Sequence, residues 1–210
     1  SAQSGVKLLD RSFYQRPATL LAPDLLGKLL VRQINGQRLA GIITETEAYQ
    51  GQTDLACHAR AGLTKRTRVM FGQAGHAYVY FTYGMHWMLN IVADEEGLPA
   101  AVLVRAIYPF DGLELMEQNR PNLARLPNWL NGPAKLTRAL DITGSLNGSD
   151  LCQEQSGIFI EDGLNFPSNL VRNTARIGLG KTLEPWLSMP WRWQVGWSDA
   201  EEIIKKEIGM

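Results

Sequence analysis

The sequence predicts an α+β domain built on a mainly antiparallel sheet. Three observations carry that expectation. Strand-like runs outnumber helical ones along the 210 residues, at least one pair of runs is joined by a hairpin turn, and no repeat, low-complexity tract or long linker marks a boundary. The whole of 1–210 is therefore expected to be a single domain.

Each element follows from local chemistry. Ser12-Phe13-Tyr14-Gln15-Arg16-Pro17 leads into a short helix expected over 18–25, with Pro23-Asp24 interrupting its middle or end. Weak alternation over 27–33 reads as a strand, and Asn35-Gly36 then supplies two residues that tolerate the positive φ of a tight hairpin. The returning strand is expected over 39–49. Further strands are expected over 77–83, 88–93 and 101–107, separated by Gly84 and by an acidic turn from Asp94 to Gly97. Residues 114–119 read as helical. Asn131-Gly132-Pro133 opens a helix over 134–140, because a first helical turn has no use for the N–H that proline lacks, and Asn131 or Gly132 can cap it. Strands over 156–161 and 175–179 and a closing helix over 199–208 complete the reading.

Composition narrows the class. Apolar content of 45% and charged content of 20% are ordinary for a soluble globular chain. No apolar run approaches the roughly 20 residues that span a bilayer, and Ser1-Ala2-Gln3-Ser4-Gly5 lacks the features of a secretory signal. No membrane partner and no secretion are expected. Cys57 and Cys152, far apart in sequence, read as free thiols. Formal net charge is zero, whereas small nucleic-acid binders are often strongly basic. The charges are nevertheless grouped: Arg60, Lys65, Arg66 and Arg68 form one basic stretch, and Arg120, Arg125, Lys135 and Arg138 a second. Acids gather at Asp94-Glu95-Glu96 and Glu201-Glu202. Each basic run is either a solvated face or the wall of a local positive groove.

The chemistry-bearing residues cluster in two strands. Glu45, Glu47 and Tyr49 alternate, so they share one strand face, and two neighbouring carboxylates must be paired, protonated or turned away. Solvated glutamates on an exposed face would give the same pattern. His58 follows Ala56-Cys57 in the next loop, where small residues let backbone approach a ligand. Tyr78 and Tyr80 share a second strand face, and Tyr83 meets Gly84 at a turn, where a stiff ring can project from the surface. Packed core aromatics would account for these tyrosines equally well. If Tyr49 and Tyr80 face one cavity, they can sandwich a flat, electron-poor ring. Metal binding lacks paired-histidine or Cys-x-x-Cys spacing, with only His58, His76 and His86 available, and no phosphate loop or dinucleotide fingerprint is present. No metal and no cofactor are expected.

The strings Glu-Thr-Glu-Ala-Tyr, Tyr-Val-Tyr with Tyr-Gly-Met shortly after, and Asn131-Gly132-Pro133-Ala134-Lys135-Leu136 resemble the alkyladenine (3-methyladenine) DNA glycosylase family, the type lacking a helix-hairpin-helix. The similarity runs in order from about Phe13 to Gly178 and fades after about Trp186. It implies a single mixed domain around a curved, mainly antiparallel β-sheet with peripheral helices. It also implies a base-excision repair activity: a damaged purine is flipped from duplex DNA and its N-glycosidic bond hydrolysed, leaving an abasic site without strand cleavage. Such a protein would be a monomer of the cytoplasm, at the nucleoid of a bacterium, or nuclear in a eukaryote. A non-enzymatic nucleic-acid binder with the same pocket is the alternative, as is a small-molecule hydrolase using Glu45 and Glu47 as an acid–base pair.

Residue by residue, the resemblance makes Glu47 the general base that activates water. It gives Arg105 and the backbone near His58 the task of positioning that water, with Arg105 also near phosphate. Tyr49, His58 and Tyr80 would line the base pocket, the Ala56 carbonyl would accept a hydrogen bond from the base, and Asn90 would exclude the guanine 2-amino group. Tyr83 would intercalate with Met85 beside it as a wedge, and Lys135 would contact DNA backbone at a helix start with free N–H groups. Phe81-Thr82, His86-Trp87 and the acidic turn receive no role. Trp191-Arg192-Trp193 is expected to pack against the core.

Overall fold

A computed structural model describes residues 7–121 and 129–209. Arg125 and the opening residues 1–5 lie outside them. The helices are α1 (Arg11–Tyr14), α2 (Ala18–Asp24), α3 (Leu113–Asn119), α4 (Pro133–Ala139) and α5 (Trp197–Ile208). The strands are β1 (Leu29–Ile34), β2 (Gln37–Gln50), β3 (Ala77–Thr82), β4 (His86–Ala93), β5 (Ala100–Asp111), β6 (Ile158–Glu161), β7 (Val171–Thr174) and β8 (Arg192–Val195). The eight strands form one antiparallel sheet in the order β3-β4-β5-β2-β1-β6, with β8 joining β2 and β7 joining β8.

β2 organises this sheet. One edge pairs with β5 along nearly its whole length. The other is shared: residues 37–42 pair with β1, and Glu45, Thr46 and Glu47 pair with β8. Asn35 and Gly36 both take positive φ in the β1–β2 turn, as their sequence requires. Where β2 meets β5 the register slips on both strands, since Ile43 faces Ile107, Glu45 faces Ala106 and Thr46 faces Val104. Thr44 and Arg105 are thus left out of the ladder. Such bulges bend a strand and re-aim its side chains, which bears on the chemistry below.

Alternation assigns the two sheet faces different work. Leu39, Ile43, Ala48, Leu89, Ile91, Val102, Val104 and Ile107 belong to the main core, and α2 packs on β2 and β5 there. Their neighbours Tyr49, Tyr78, Val92 and Ala101 belong to a second, smaller cluster with Cys57, Ala59 and Met70 on the opposite face.

Most expected elements are present with ends displaced by a few residues. The exception is the strand expected over 175–179. The extended stretch ends at Thr174 as β7, and 175–179 is irregular because Arg176 and Ile177 bond to the β2 region instead. β8 was not foreseen. Trp191 and Trp193 do pack against the main core, while Arg192 between them turns to Glu45. Cys57 and Cys152 are free thiols. Among the described residues no helix is long and apolar enough to cross a membrane.

Candidate active site

A cavity of about 620 Å³ opens on the sheet face opposite the main core. Tyr49 comes from β2, Tyr78 and Tyr80 from β3, Asn90 from β4 and Arg105 from β5. The loop after β2 supplies Ala56 and His58, and Ile177 and Gly178 close the remaining side. The sequence-expected pocket residues are therefore gathered around one space. Glu47 lies completely buried beneath it, tied to Tyr49 and Arg105 from the cavity wall.

Glu47 is held by three donors. Its Oε1 accepts from the Tyr49 hydroxyl at 3.0 Å and from Arg105 Nη1 at 3.3 Å, and its Oε2 accepts from the Ile177 backbone N–H at 2.6 Å. Burial pushes its carboxyl above the usual range, while Arg105, the Ile177 N–H and the Tyr49 hydroxyl act the other way. The backbone donor that reaches Glu47 is that of Ile177, a contact that no sequence spacing announced.

Glu45 shares the face, as alternation requires, but is neither solvated nor free. Arg105 Nε reaches its Oε1 at 2.9 Å, Arg192 Nε reaches the same oxygen at 2.7 Å, and Gln194 Nε2 reaches Oε2 at 3.3 Å. The bulge aims the Arg105 guanidinium at both glutamates, which resolves the repulsion between them. An acid–base pair made of Glu45 and Glu47 does not fit, because Glu45 is consumed by two arginines.

The rings beside Glu47 are uncharged at neutral pH. Burial, then Arg66 and Arg60, lowers the His58 imidazole to about 4. Burial raises the Tyr80 phenol to about 12 and also raises Tyr78. His58 Nδ1 lies 3.2 Å from the Tyr78 hydroxyl, and its ring is 4.5 Å from that of Tyr80. Arg66, at the mouth, sits 5.2 Å from the Tyr80 ring centre. Asn90, buried, donates Nδ2 to the Tyr78 carbonyl at 3.3 Å, which fixes its amide in the wall.

Tyr83 stands at the rim, 79% exposed, in the turn between β3 and β4. Met85 N–H donates to the Thr82 carbonyl at 3.2 Å across it, and Tyr83 and Gly84 carry φ of 52° and 68°. A tyrosine in the left-handed region is uncommon and strained. Met85, 67% exposed, lines a second cavity of about 490 Å³ with Lys135 and Arg138. Lys135 is exposed on α4, but its own N–H is taken by the Gly132 carbonyl at 3.1 Å, so the helix start offers fewer free donors than expected. Arg120 is buried and donates to the Trp129 carbonyl, which removes it from the second basic group. Among the described residues no cluster of His, Cys, Asp and Glu could hold a metal ion.

Comparison with known proteins bears on this arrangement. The pattern of the methylpurine-DNA glycosylase family matches residues 12–198, further than the resemblance read from single motifs. A protein of Methanocella arvoryzae is 51% identical over 156 residues, covering 74% of this chain and 78% of its own. One of Chlorobaculum parvum is 44% identical over 188 residues, covering 89% and 87%. One of Chlorobium phaeobacteroides strain BS1 is 42% identical over 202 residues, covering 96% and 97%. All three are named as candidate 3-methyladenine DNA glycosylases.

Proposed function

This chain belongs to the methylpurine-DNA glycosylase family and is a DNA N-glycosylase of base-excision repair, and we propose that it flips a damaged purine from duplex DNA into the tyrosine-lined cavity and hydrolyses its N-glycosidic bond with Glu47 as general base. The observation that carries this reading is Glu47 itself. A buried carboxylate bonded to two cavity-wall side chains is costly to maintain and is of no use to a pocket that merely binds. For that reason the binding-only reading has no observation in its favour.

The geometry supports a specific water site. A carboxylate has about four acceptor directions. Two on Oε1 are used by Tyr49 and Arg105 and one on Oε2 by Ile177, which leaves one on Oε2 for a water. Glu47 takes the proton of that water as its oxygen attacks C1′, and the bonding electrons leave with the base. The sugar gains positive character as the bond breaks, and an adjacent carboxylate stabilises it. Arg105 holds Glu47 in place and favours its ionised form against the effect of burial. A purine methylated at N3 or N7 already carries positive charge, so it departs neutral without an added proton; a neutral lesion such as hypoxanthine leaves with the bonding pair as an anion and takes its proton from solvent.

Binding follows from the walls. Tyr49, His58 and Tyr80 offer neutral rings, on which a cationic purine stacks well. The Ala56 carbonyl accepts from the base, and Asn90, fixed by the Tyr78 carbonyl, crowds a guanine 2-amino group. Tyr83 fills the space left in the stack, offsetting part of the few kcal/mol that extrusion costs. Met85 supports it, Lys135 meets phosphate, and the protein works as a monomer.

The test is incubation with duplexes carrying one hypoxanthine, 1,N6-ethenoadenine or 3-methyladenine, followed by alkali. Cleavage at the lesion after alkali, and none before it, is expected. Folded protein that yields no alkali-labile site with any of the three would overturn the assignment; scission before alkali would overturn the hydrolytic mechanism.

A further inference from the structure

Asp54 and Arg176 form the one ion pair among the described residues whose two side chains are completely buried. The pair is bidentate, Nη1 to Oδ2 at 2.6 Å and Nη2 to Oδ1 at 3.0 Å. Arg176 also donates to the Ala48 carbonyl of β2 at 3.1 Å and to the Trp186 carbonyl at 3.0 Å. Its guanidinium carbon lies 4.9 Å from the Tyr49 ring centre and 5.0 Å from that of Trp191. Asp54 in turn accepts from the N–H of Gln50 at 3.2 Å and of Ala56 at 3.0 Å. Three walls of the cavity therefore meet at this pair: the end of β2 with Tyr49, the loop carrying Ala56 and His58, and residues 175–186.

Stability alone is a poor reason for such a pair. Desolvating two charges offsets much of their attraction, and well-packed apolar side chains often serve as well. What the pair does accomplish is local. The β7–β8 ladder ends where Thr174 faces Arg192, so 175–179 has left the sheet. The next residue after Arg176 is Ile177, whose N–H reaches Glu47 Oε2.

We propose that the Asp54–Arg176 pair is a latch that positions Glu47: by fastening 175–179 against β2 it keeps the Ile177 N–H on Oε2 and the Tyr49 hydroxyl on Oε1. The latch acts through its neighbours and touches no reacting atom. It rests on the reading of Glu47 as the base. Releasing it withdraws a donor that favours the ionised carboxylate, so burial is opposed by fewer groups and protonation occurs at higher pH.

The experiment is the pH profile of single-turnover excision from a hypoxanthine duplex, with the full chain in excess. Arg176→Lys keeps the charge but not the two-pronged geometry. Asp54→Asn is isosteric and is the variant of choice should Arg176→Lys fail to fold. Ile177→Pro deletes the donor and leaves the pair intact. In each folded variant the acidic limb is expected to move up by roughly one pH unit. Asp54→Asn combined with Ile177→Pro is expected to move it no further than either alone. A limb that stays at the wild-type pH in folded Asp54→Asn overturns the latch, because a merely structural role lowers the rate at every pH alike. Glu47→Gln separates the two failures: if it is inactive while Asp54→Asn is unshifted, only the latch falls, and if it still turns over, the base assignment falls and the latch with it.

Discussion

Tyr83→Gly separates the stability of the free protein from its grip on DNA. Tyr83 sits at φ 52° in the β3–β4 turn, where an L-residue is disfavoured by roughly 1–2 kcal/mol. Glycine removes that strain, but its freer unfolded chain costs about 0.5–1 kcal/mol. The ring is 79% exposed, so little packing is lost. The free variant should therefore be as stable as the parent, or more stable by up to about 1.5 kcal/mol, which at this chain length lifts the melting midpoint by up to about 3–6 °C. In the complex the sum reverses. Losing one aromatic–base stack removes about 1–3 kcal/mol, so lesion duplex binding should weaken by roughly 5-fold to 150-fold. Chemical denaturation reads the first quantity, and fluorescence titration of a duplex carrying 2-aminopurine beside the lesion reads the second. A midpoint lowered by more than the equivalent of about 1 kcal/mol would refute the strain argument. Unchanged affinity and unchanged 2-aminopurine emission would refute the wedge.

Glu47→Gln should abolish turnover and retain lesion binding. Because burial raises the carboxyl, the folded state holds its proton more tightly than the unfolded chain does, and ionised Glu47 lowers stability at neutral pH. The contribution recovers as pH falls through the raised folded value toward the ordinary one. The glutamine variant should thus melt above the wild type at pH 8, with the gap closing on acidification; a wider gap at low pH would contradict the sign. Lys135→Ala, on an exposed face of α4, should weaken binding to damaged and undamaged duplex alike and reduce the log–log salt slope by about 1. A loss confined to lesion DNA would instead place Lys135 in recognition of the base.

The sequence made the sheet and one half of the site legible, for different reasons. Alternation over 39–49 was enough to put Glu45, Glu47 and Tyr49 on one face, and a hairpin signal as local as Asn35-Gly36 needs no distant partner. Tyr78, Tyr80 and Asn90 entered one cavity because β3 and β4 are adjacent in both chain and sheet. What alternation cannot reveal is a contact closed over a long loop. Arg176 and Asp54 are 122 residues apart, Arg192 and Glu45 are 147 apart, and β8 is too short to announce itself. The strand expected over 175–179 failed for the same reason: an apolar-rich run with glycine reads as extended locally, while its donors are drawn away by groups on another strand. The bulge that turns Arg105 toward both glutamates leaves no mark in composition either, since it is a property of how two strands slip past each other.

Because scaffold and chemistry occupy alternate positions of the same strands, inheritance can treat them as separate accounts. Changes at Tyr49 or Asn90 reshape what the cavity admits without disturbing the layer beneath Ala48 or Ile91. A lineage retunes its choice of lesion by single exchanges at every second residue while the packing of the main core on the other face is left as it was. Directed evolution toward a new base has the same short register of sites to explore.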